Sequence, residues 1–222
     1  MCSTDRHTLL ADSIRLAFGT FNVLNGAWLR SETGKVTGVL GRNGSGKSCM
    51  FKAIMGGLRT QELFVRVDDE ILTGSMEMGK HVKYMAQMSF LPPKMTMKEI
   101  FDCFEADYDA FCNDFPKFLI YPDTPAGELS GGEIRIAEIW LCLCSPSPFC
   151  ILDEPFSYLA PVYVETVQKL ISREKANKGI IISDHNYEAL LEVSDEVLLL
   201  SDGYVHLIKD RSDLVRYGYC RR

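Results

Sequence analysis

Short apolar runs alternate with segments of helical periodicity along most of this 222-residue chain. Continuous apolar runs, which are typical of strands buried on both faces of a parallel sheet, occupy 35–40, 149–152 and 179–183. Segments whose apolar residues recur every three or four positions lie between them, notably at 49–58 and 162–175. Because strands and helices alternate in this way, the pattern predicts an α/β fold with a mainly parallel sheet.

A second pattern surrounds the first apolar run. Apolar and polar residues mix around Gly19 in the stretch 14–23, which favours two short strands joined by a turn, and they alternate again at the start of 64–72. Alternation is typical of strands with one solvent-facing side, as in antiparallel sheets. The sequence therefore predicts a small antiparallel β subdomain built from about 10–35 and 60–75.

Helical signals dominate the middle of the chain. Thr96 and Ser130 are each followed three residues later by a glutamate, which is the capping-box spacing at the start of a helix. We predict a helix over 97–105 and a strongly apolar helix after Ser130, both within an inserted helical subdomain of about 88–145. Nothing resembles a linker between independent units, so residues 1–222 are expected to form a single domain.

The stretch 41–48 follows the first buried strand and precedes a helix, and it matches the phosphate-loop pattern G-x-x-x-x-G-K-[ST]. Its glycines let successive backbone N–H groups converge on phosphate oxygens at the positive end of the helix. A lysine at the end of such a loop binds the β and γ phosphates, and the following hydroxyl is a magnesium ligand. A glycine-rich turn before a helix could produce the same pattern, so the downstream residues decide. The loop residues are Gly41, Arg42, Asn43, Gly44, Ser45, Gly46, Lys47 and Ser48.

Ionisable residues close the two later apolar runs. Asp153 and Glu154 end the run at 149–152, where two carboxylates are costly unless something uses them. Beside a phosphate loop, Asp153 could hold magnesium and Glu154 could orient or deprotonate a water molecule. His185 follows the run at 179–183 and could donate to a γ phosphate or to that water. The alternatives are a solvated acidic turn and an ordinary hydrogen-bonded histidine.

Composition excludes several classes of function. The net charge of -6 argues against general nucleic-acid binding, which favours a basic surface. None of the eight cysteines forms a C-x-x-C pair, so buried thiols are favoured over a metal site or a disulfide framework. Residues 1–30 show no secretory leader, and no segment approaches 18 uninterrupted apolar residues. We therefore expect a protein that is neither secreted nor membrane-spanning on its own.

Ser130, Gly131 and Gly132 form a second candidate anion-binding element. They stand at the start of the apolar helix, where N–H groups are exposed, side chains are small and the helix dipole is positive. A plain helix cap would require only Ser130, so this element is weak evidence when taken alone.

The order of these elements resembles that of the ATP-binding cassette (ABC) ATPases. The resemblance covers roughly 10–217, and the LSGG sequence is its most specific part. The segments LDEPF at 152–156 and DHN at 184–186 further resemble the compact cassettes of lipopolysaccharide export and branched-chain amino-acid transport. The elements that carry the resemblance are the phosphate loop at 41–48, LSGGE at 129–133, Asp153-Glu154 and His185.

The resemblance implies a Mg-dependent ATPase with a P-loop NTPase core. In this family two cassettes pair head to tail, so ATP would lie between the phosphate loop of one chain and Ser130–Gly132 of a second copy or a homologous cassette. Gln87 matches the family glutamine that touches magnesium and senses the membrane partner. Phe18 matches the aromatic residue that stacks on adenine, with Phe21 as a close competitor. Cys49 stands where threonine is common after the loop and is counted with the nucleotide-binding residues.

The implied partner is a separate transmembrane permease, which would place the chain peripherally on the cytoplasmic face of a membrane. Six methionines between 76 and 97 surround Gln87 and could either fill the core or form a docking surface for that partner. Ala160 replaces the family aspartate that couples the two ATP sites. The main hypothesis is thus the ATPase subunit of a transporter, and the alternative is a soluble ABC ATPase with a regulatory or assembly role.

Overall fold

A computed structural model describes residues 6–220. Its strands, in chain order, are β1 (Thr8–Phe18), β2 (Phe21–Glu32), β3 (Val36–Leu40), β4 (Glu62–Val67), β5 (Glu70–Ile71), β6 (Val82–Met85), β7 (Phe149–Asp153), β8 (Gly179–Ser183), β9 (Glu196–Ser201) and β10 (Tyr204–Ile208). Its helices are α1 (Lys47–Ile54), α2 (Ser75–His81), α3 (Met97–Cys103), α4 (Tyr108–Asp114), α5 (Gly131–Leu143), α6 (Pro161–Glu174), α7 (Tyr187–Val193) and α8 (Arg211–Arg216). Short 3-10 turns cover Pro116–Ile120 and Ala126–Glu128.

The larger sheet has the strand order β10-β9-β3-β8-β7-β6. Every neighbouring pair is parallel except β9 with the edge strand β10, which confirms the predicted α/β class. All residues of β3, β7 and β8 are buried, as expected for central strands covered on both faces. The carboxyl ends of these three strands meet at one edge of the sheet and carry the phosphate loop, Asp153 and Ser183.

The smaller sheet is antiparallel, with the order β2-β1-β4-β5. Its first two strands are longer than the short strands predicted around Gly19. In β1 the buried positions change from Leu9 and Ala11 to Ile14 and Leu16, because a register shift with Ser13 at φ 56° intervenes. Such a bulge inserts one residue and reverses the alternation, so the periodicity hides the continuity of the strand.

The predicted helix starts at Thr96 and Ser130 are confirmed, and both capping boxes are formed. Helices α3, α4 and α5 pack around an aromatic cluster, in which the ring centroids of Phe101 and Trp140 lie 5.6 Å apart. Helix α5 is almost entirely buried and packs against β6 and β7. It therefore connects this cluster to the edge of the larger sheet.

Two elements have no counterpart in the sequence prediction. Strand β6 has only four residues and a buried–half-buried–half-buried–buried pattern, which fits neither alternation nor a continuous apolar run. Helix α2 is preceded by Gly74, which offers no side-chain cap. None of the helices within 6–220 is both long and apolar enough to cross a lipid bilayer.

Candidate active site

The phosphate loop connects the buried end of β3 to α1. Gly46 caps α1 with φ 104°, a left-handed conformation that side chains rarely adopt, and a Cβ there would lie 2.8 Å from Val23 Cγ1. A Cβ at Gly41 would lie 2.9 Å from the carbonyl oxygen of Leu200, so this position also excludes larger residues. Gly46 is therefore required by both conformation and space, and Gly41 by space.

Lys47 is folded back on its own loop. Its side chain is buried, and Nζ donates hydrogen bonds to the carbonyl oxygens of Gly41 at 2.8 Å and Arg42 at 3.4 Å. Burial lowers the pKa of the ammonium, and the charges of Glu154, Asp153 and Asp184 partly oppose that shift. Two neutral carbonyls are poor compensation for a buried cation, so an anionic ligand would be a better partner.

Asp153 is fully buried at the end of β7. Its Oδ1 accepts a hydrogen bond from Ser183 Oγ at 2.6 Å, and its Oδ2 accepts one from Tyr84 OH at 3.3 Å. Burial and the adjacent Asp153 charge raise the pKa of Tyr84 far above its usual range, so the phenol stays protonated and can donate. Among residues 6–220, the side-chain donors to this carboxylate are thus two neutral hydroxyl groups.

Two other predicted site residues contact the Glu154 carboxylate. Its Oε1 accepts a hydrogen bond from Gln87 Nε2 at 2.7 Å and lies 2.6 Å from His185 Nε2. Ser157 Oγ donates to Oε2 at 3.4 Å. Glu154 adopts φ 57°, which costs roughly 1–3 kcal/mol for a residue with a side chain and is often found at functional sites. Residues far apart in sequence therefore converge on one carboxylate.

A cavity of about 400 Å³ joins this carboxylate to the phosphate loop. Phe18 and Phe21 pair at the turn between β1 and β2, are both exposed, and line the cavity together with Glu154. A larger depression of about 540 Å³ shares Asn43–Ser45 with this cavity, but Lys47, Glu154 and His185 do not line it. The remaining lining residues of the first cavity are Val23, Asn43, Gly44, Ser45, Gly46, Lys47, Ser48, Cys49, Gln87 and His185.

Some predicted site residues lie outside this cavity. Arg42 is exposed, and its Nη2 donates to the carbonyl oxygen of Gly218 at 2.5 Å. Ser130, Gly131 and Gly132 are not among the lining residues, and Ser130 Oγ is engaged with Glu133 Oε2 at 2.6 Å. The structure of one chain thus brings the phosphate loop, Gln87, Glu154 and His185 together, but not the LSGG element.

Asp184 is a site residue for which sequence reasoning gave no role. It is buried, its Oδ2 accepts the Phe156 N–H at 2.8 Å, and its Oδ1 accepts the Asn186 N–H at 2.7 Å. Burial raises the pKa of this carboxyl group. Asp184 therefore ties the turn after Glu154 to the turn that carries His185. An acidic residue directly after a buried strand was the available signal, as at Asp153.

Magnesium is compatible with this donor set. No group of three or more His, Cys, Asp or Glu side chains within 6–220 could hold a metal ion by itself. Mg²⁺, however, is commonly bound by one or two carboxylates together with substrate phosphates and water. Asp153 offers a buried carboxylate without a bonded cation, and Ser48 offers a hydroxyl that lines the cavity. The hard oxygen donors that the ion requires are therefore present.

A protein-family model described as ABC transporter matches residues 24–157, which is more than half of the chain. The chain belongs to the ABC transporter family. The predicted family and P-loop fold are thereby confirmed, and with them the class of enzyme, an ATPase. The match includes the phosphate loop, the LSGG element and Glu154.

Curated relatives align along most of the cassette. This chain is 29% identical to an uncharacterized ABC transporter ATP-binding protein of Rhizobium meliloti, over 97% of this chain and 85% of that protein. It is 27% identical to the lipopolysaccharide export system ATP-binding protein LptB of Escherichia coli, over 89% and 88% of the two chains. These relatives span lengths similar to that of the cassette.

Solved structures share the fold of the cassette. An ATP-binding subunit of an ABC transporter superimposes with a TM-score of 0.81 at 19% identity, covering 96% of the cassette and 95% of that chain. An ATP-binding cassette in its ADP conformation superimposes with a TM-score of 0.74 at 22% identity, covering 90% and 89%. At such low identity the likeness concerns the fold alone.

Proposed function

We propose that this chain is the ATP-hydrolysing subunit of a transporter and that it acts as a head-to-tail dimer on a separate membrane protein. The observation that carries the catalytic part is the convergence of Gln87 and His185 on Glu154 in the same cavity as Lys47. Membership in the ABC transporter family supports the coupling to a membrane protein.

In this proposal Glu154 orients the attacking water and accepts its proton. The water oxygen bonds to the γ phosphorus, the bond from that phosphorus to the β–γ bridging oxygen breaks, and ADP and inorganic phosphate leave. Lys47 exchanges its two carbonyl partners for phosphate oxygens and stabilises developing negative charge. His185 moves from Glu154 toward the γ phosphate, and Phe18 stacks on adenine.

Ser48, Gln87 and Asp153 would hold Mg²⁺, which supplies charge neutralisation of the β and γ phosphates when bound. Gln87 is bound to Glu154 in the structure, so its amide would turn toward the ion as ATP enters. Removal of Mg²⁺ with a chelator is expected to abolish turnover while leaving the protein folded, because no hydrogen bond of the fold described above depends on the ion. Circular dichroism and phosphate release measured in parallel test this expectation.

The Ser130–Gly132 element supports the dimer. It begins a 13-residue helix, so its N–H groups carry the positive end of a substantial dipole. It does not line the cavity of its own chain, and Ser130 and Gly131 are exposed. A second copy that supplies this element over the phosphate loop would complete the anion site.

The methionine-rich segment supports the membrane partner only in part. Met78, Met85 and Met97 are buried and belong to the core. Met76 and Met88, in contrast, are 83% and 81% exposed. Because Met88 directly follows Gln87, we assign the docking role to the exposed residues and not to the whole segment.

Glu154→Gln tests the hydrolytic role. We expect the variant to bind ATP with an affinity close to that of the wild type and to lose at least about 100-fold in turnover, because the amide cannot accept a proton. It should also accumulate as an ATP-bound dimer in size-exclusion chromatography. Glu165→Gln, at an exposed glutamate on α6, is the matched control and should behave as the wild type. Unchanged turnover in Glu154→Gln would contradict the assignment.

The membrane partner is tested by cell fractionation. The chain should co-purify with membranes and become unbound when the partner gene is deleted, or when Met88→Ser removes the exposed side chain beside Gln87. A pool that never associates with membranes would instead favour a soluble regulatory or assembly role.

A further inference from the structure

Two charged side chains on α5 are almost completely buried beside the Glu154 turn. Arg135 is 5% exposed and Glu138 is 1% exposed, and Arg135 Nη1 lies 3.4 Å from Glu138 Oε2. Desolvation offsets much of the attraction in a buried ion pair, so such a pair is a weak source of stability. Arg135 Nε also lacks a hydrogen-bond partner among residues 6–220. Stability alone therefore explains this pair poorly.

Arg135 donates hydrogen bonds to the two loops that carry Gln87 and Glu154. Arg135 Nη2 donates to the carbonyl oxygens of Asp153 at 2.7 Å and Glu154 at 3.0 Å. Arg135 Nη1 donates to the carbonyl oxygen of Ala86 at 2.7 Å, one residue before Gln87. The guanidinium fork thus holds both sides of the contact between Gln87 and Glu154.

Glu138 fixes the other end of the Gln87 loop. Its Oε1 accepts the Phe90 N–H at 2.7 Å, while its Oε2 faces Arg135. The loop from Ala86 to Phe90 is therefore attached to α5 at both ends. Arg135 can only donate and therefore binds backbone carbonyl oxygens, whereas the Glu138 carboxylate accepts and therefore binds a backbone N–H group.

Glu154 requires such support. Its left-handed backbone persists only where neighbouring groups over-determine it. Its N–H donates to the carbonyl oxygen of Ser183 at 2.7 Å, and its own carbonyl is held by Arg135. Loss of the second bond would let the peptide rotate and redirect the carboxylate.

We propose that Arg135 is a positioning residue for the Glu154 carboxylate and that Glu138 completes its hold on the Gln87 loop. The inference rests on the proposed hydrolytic role of Glu154. Arg135 does not line the nucleotide cavity and acts through backbone carbonyls. Because the same helix begins at Ser130, a displacement of the α5 N-terminus is transmitted to Glu154 and Gln87 through these bonds. Arg135 thereby links the Ser130–Gly132 element of a chain to the Glu154 carboxylate of the same chain.

The first test removes both charges at once, so that no unpaired charge stays buried. Arg135→Met/Glu138→Leu should fold and bind ATP with a Kd within about threefold of the wild type, while kcat falls by up to about 100-fold through misplacement of the carboxylate. Arg135→Lys keeps the charge but not the planar fork, and it should retain an intermediate kcat. Arg30→Met, at an exposed arginine paired with Glu32, is the control and should change neither constant. Weaker ATP binding with an unchanged kcat would overturn the proposal.

A double-mutant cycle asks whether Arg135 acts through Glu154. In the Glu154→Gln background, Arg135→Met/Glu138→Leu should reduce the residual turnover no further, since the group that Arg135 positions is already inactive. Multiplicative losses would show that Arg135 acts on another step and would contradict the positioning role.

Hydrogen exchange tests the same idea without hydrolysis. In Arg135→Met/Glu138→Leu, amides in 86–90 and 153–157 should exchange about tenfold faster or more, while those of β3 and α1 stay protected. A uniform increase along the chain, or none, would overturn the proposal. If the wild type proves unable to hydrolyse ATP, the proposed function fails, yet this experiment still decides whether the pair positions the two loops.

Discussion

At the scale of single residues, the site contains groups whose arrangement costs stability. Lys47 is a buried ammonium with two carbonyl partners, and Glu154 adopts a strained backbone conformation. Both features favour the proposed site for a charged ligand, since strained or poorly compensated groups are often found at functional sites. Removing such a group should therefore separate stability from activity.

Lys47→Met is expected to weaken ATP binding by at least about 100-fold while changing the free energy of unfolding by no more than about 1 kcal/mol at pH 7. Burial lowers the pKa of Lys47 below 10.5, the value of an unperturbed lysine, so charging this group opposes folding. That penalty is complete below the folded pKa and vanishes above the unfolded pKa. The wild type should therefore gain stability relative to Lys47→Met as the pH rises toward 10.5. Denaturant unfolding at pH 7 and pH 10 measures the difference, and a gain in the opposite direction would contradict it.

At the scale of elements, α5 combines a structural and a proposed functional role. Its N-terminal capping box has the same design as that of α3, but only α5 exposes a Ser-Gly-Gly sequence at its start. The two helices therefore form a natural comparison within one chain. A change that affects capping alone should act equally on both.

Ser130→Ala and Thr96→Ala should each lower the free energy of unfolding by about 1 kcal/mol, because each removes a side-chain cap. Only Ser130→Ala should also lower ATP turnover, since only α5 is proposed to contact the nucleotide of a second copy. Ser130→Asp should still accept the Glu133 N–H, but it loses the hydroxyl that donates to Glu133 Oε2 and places a carboxylate near the γ phosphate, so turnover should fall further than in Ser130→Ala. Equal turnover in the Ser130 and Thr96 variants would argue against the composite site.

At the scale of the whole molecule, one chain holds one half of each proposed ATP site. Two inactive variants with different defects should therefore recover ATP turnover when they form a mixed dimer. In a pair of Lys47→Met and Ser130→Asp chains, one site carries both defects and the other carries neither. This arrangement is expected only if the sites form between chains.

An equal mixture of Lys47→Met and Ser130→Asp chains should recover about a quarter of wild-type turnover, since random pairing leaves one site in four intact. Ala160 stands in place of the coupling aspartate of the family, so we expect the intact site to work independently of its neighbour. Phosphate release by each variant alone and by the mixture measures this recovery. Activity no greater than that of the separate variants would rule out shared sites or independent turnover.

Elements with local signals could be predicted from the sequence. Buried strands appear as apolar runs, helix starts as capping boxes, and the phosphate loop as a glycine spacing, because neighbouring residues fix each of them. The ends of two apolar runs predicted roles for Glu154 and His185, and the resemblance added Gln87. Signals of this kind depend on a few adjacent positions and survive without the fold.

Features that depend on residues far apart in the chain became visible in the folded structure. The bulge at Ser13 extended β1 back to Thr8, beyond the short strand predicted before Gly19, and pairing with β7 made a strand of β6. Burial divided the methionines into core and exposed residues, and the Arg135 fork became visible only where α5 crosses two loops. These features are set by packing and by hydrogen bonds between distant segments, which leave no periodicity or spacing in the chain. The physical reason is that local patterns specify elements, whereas contacts between elements specify the site.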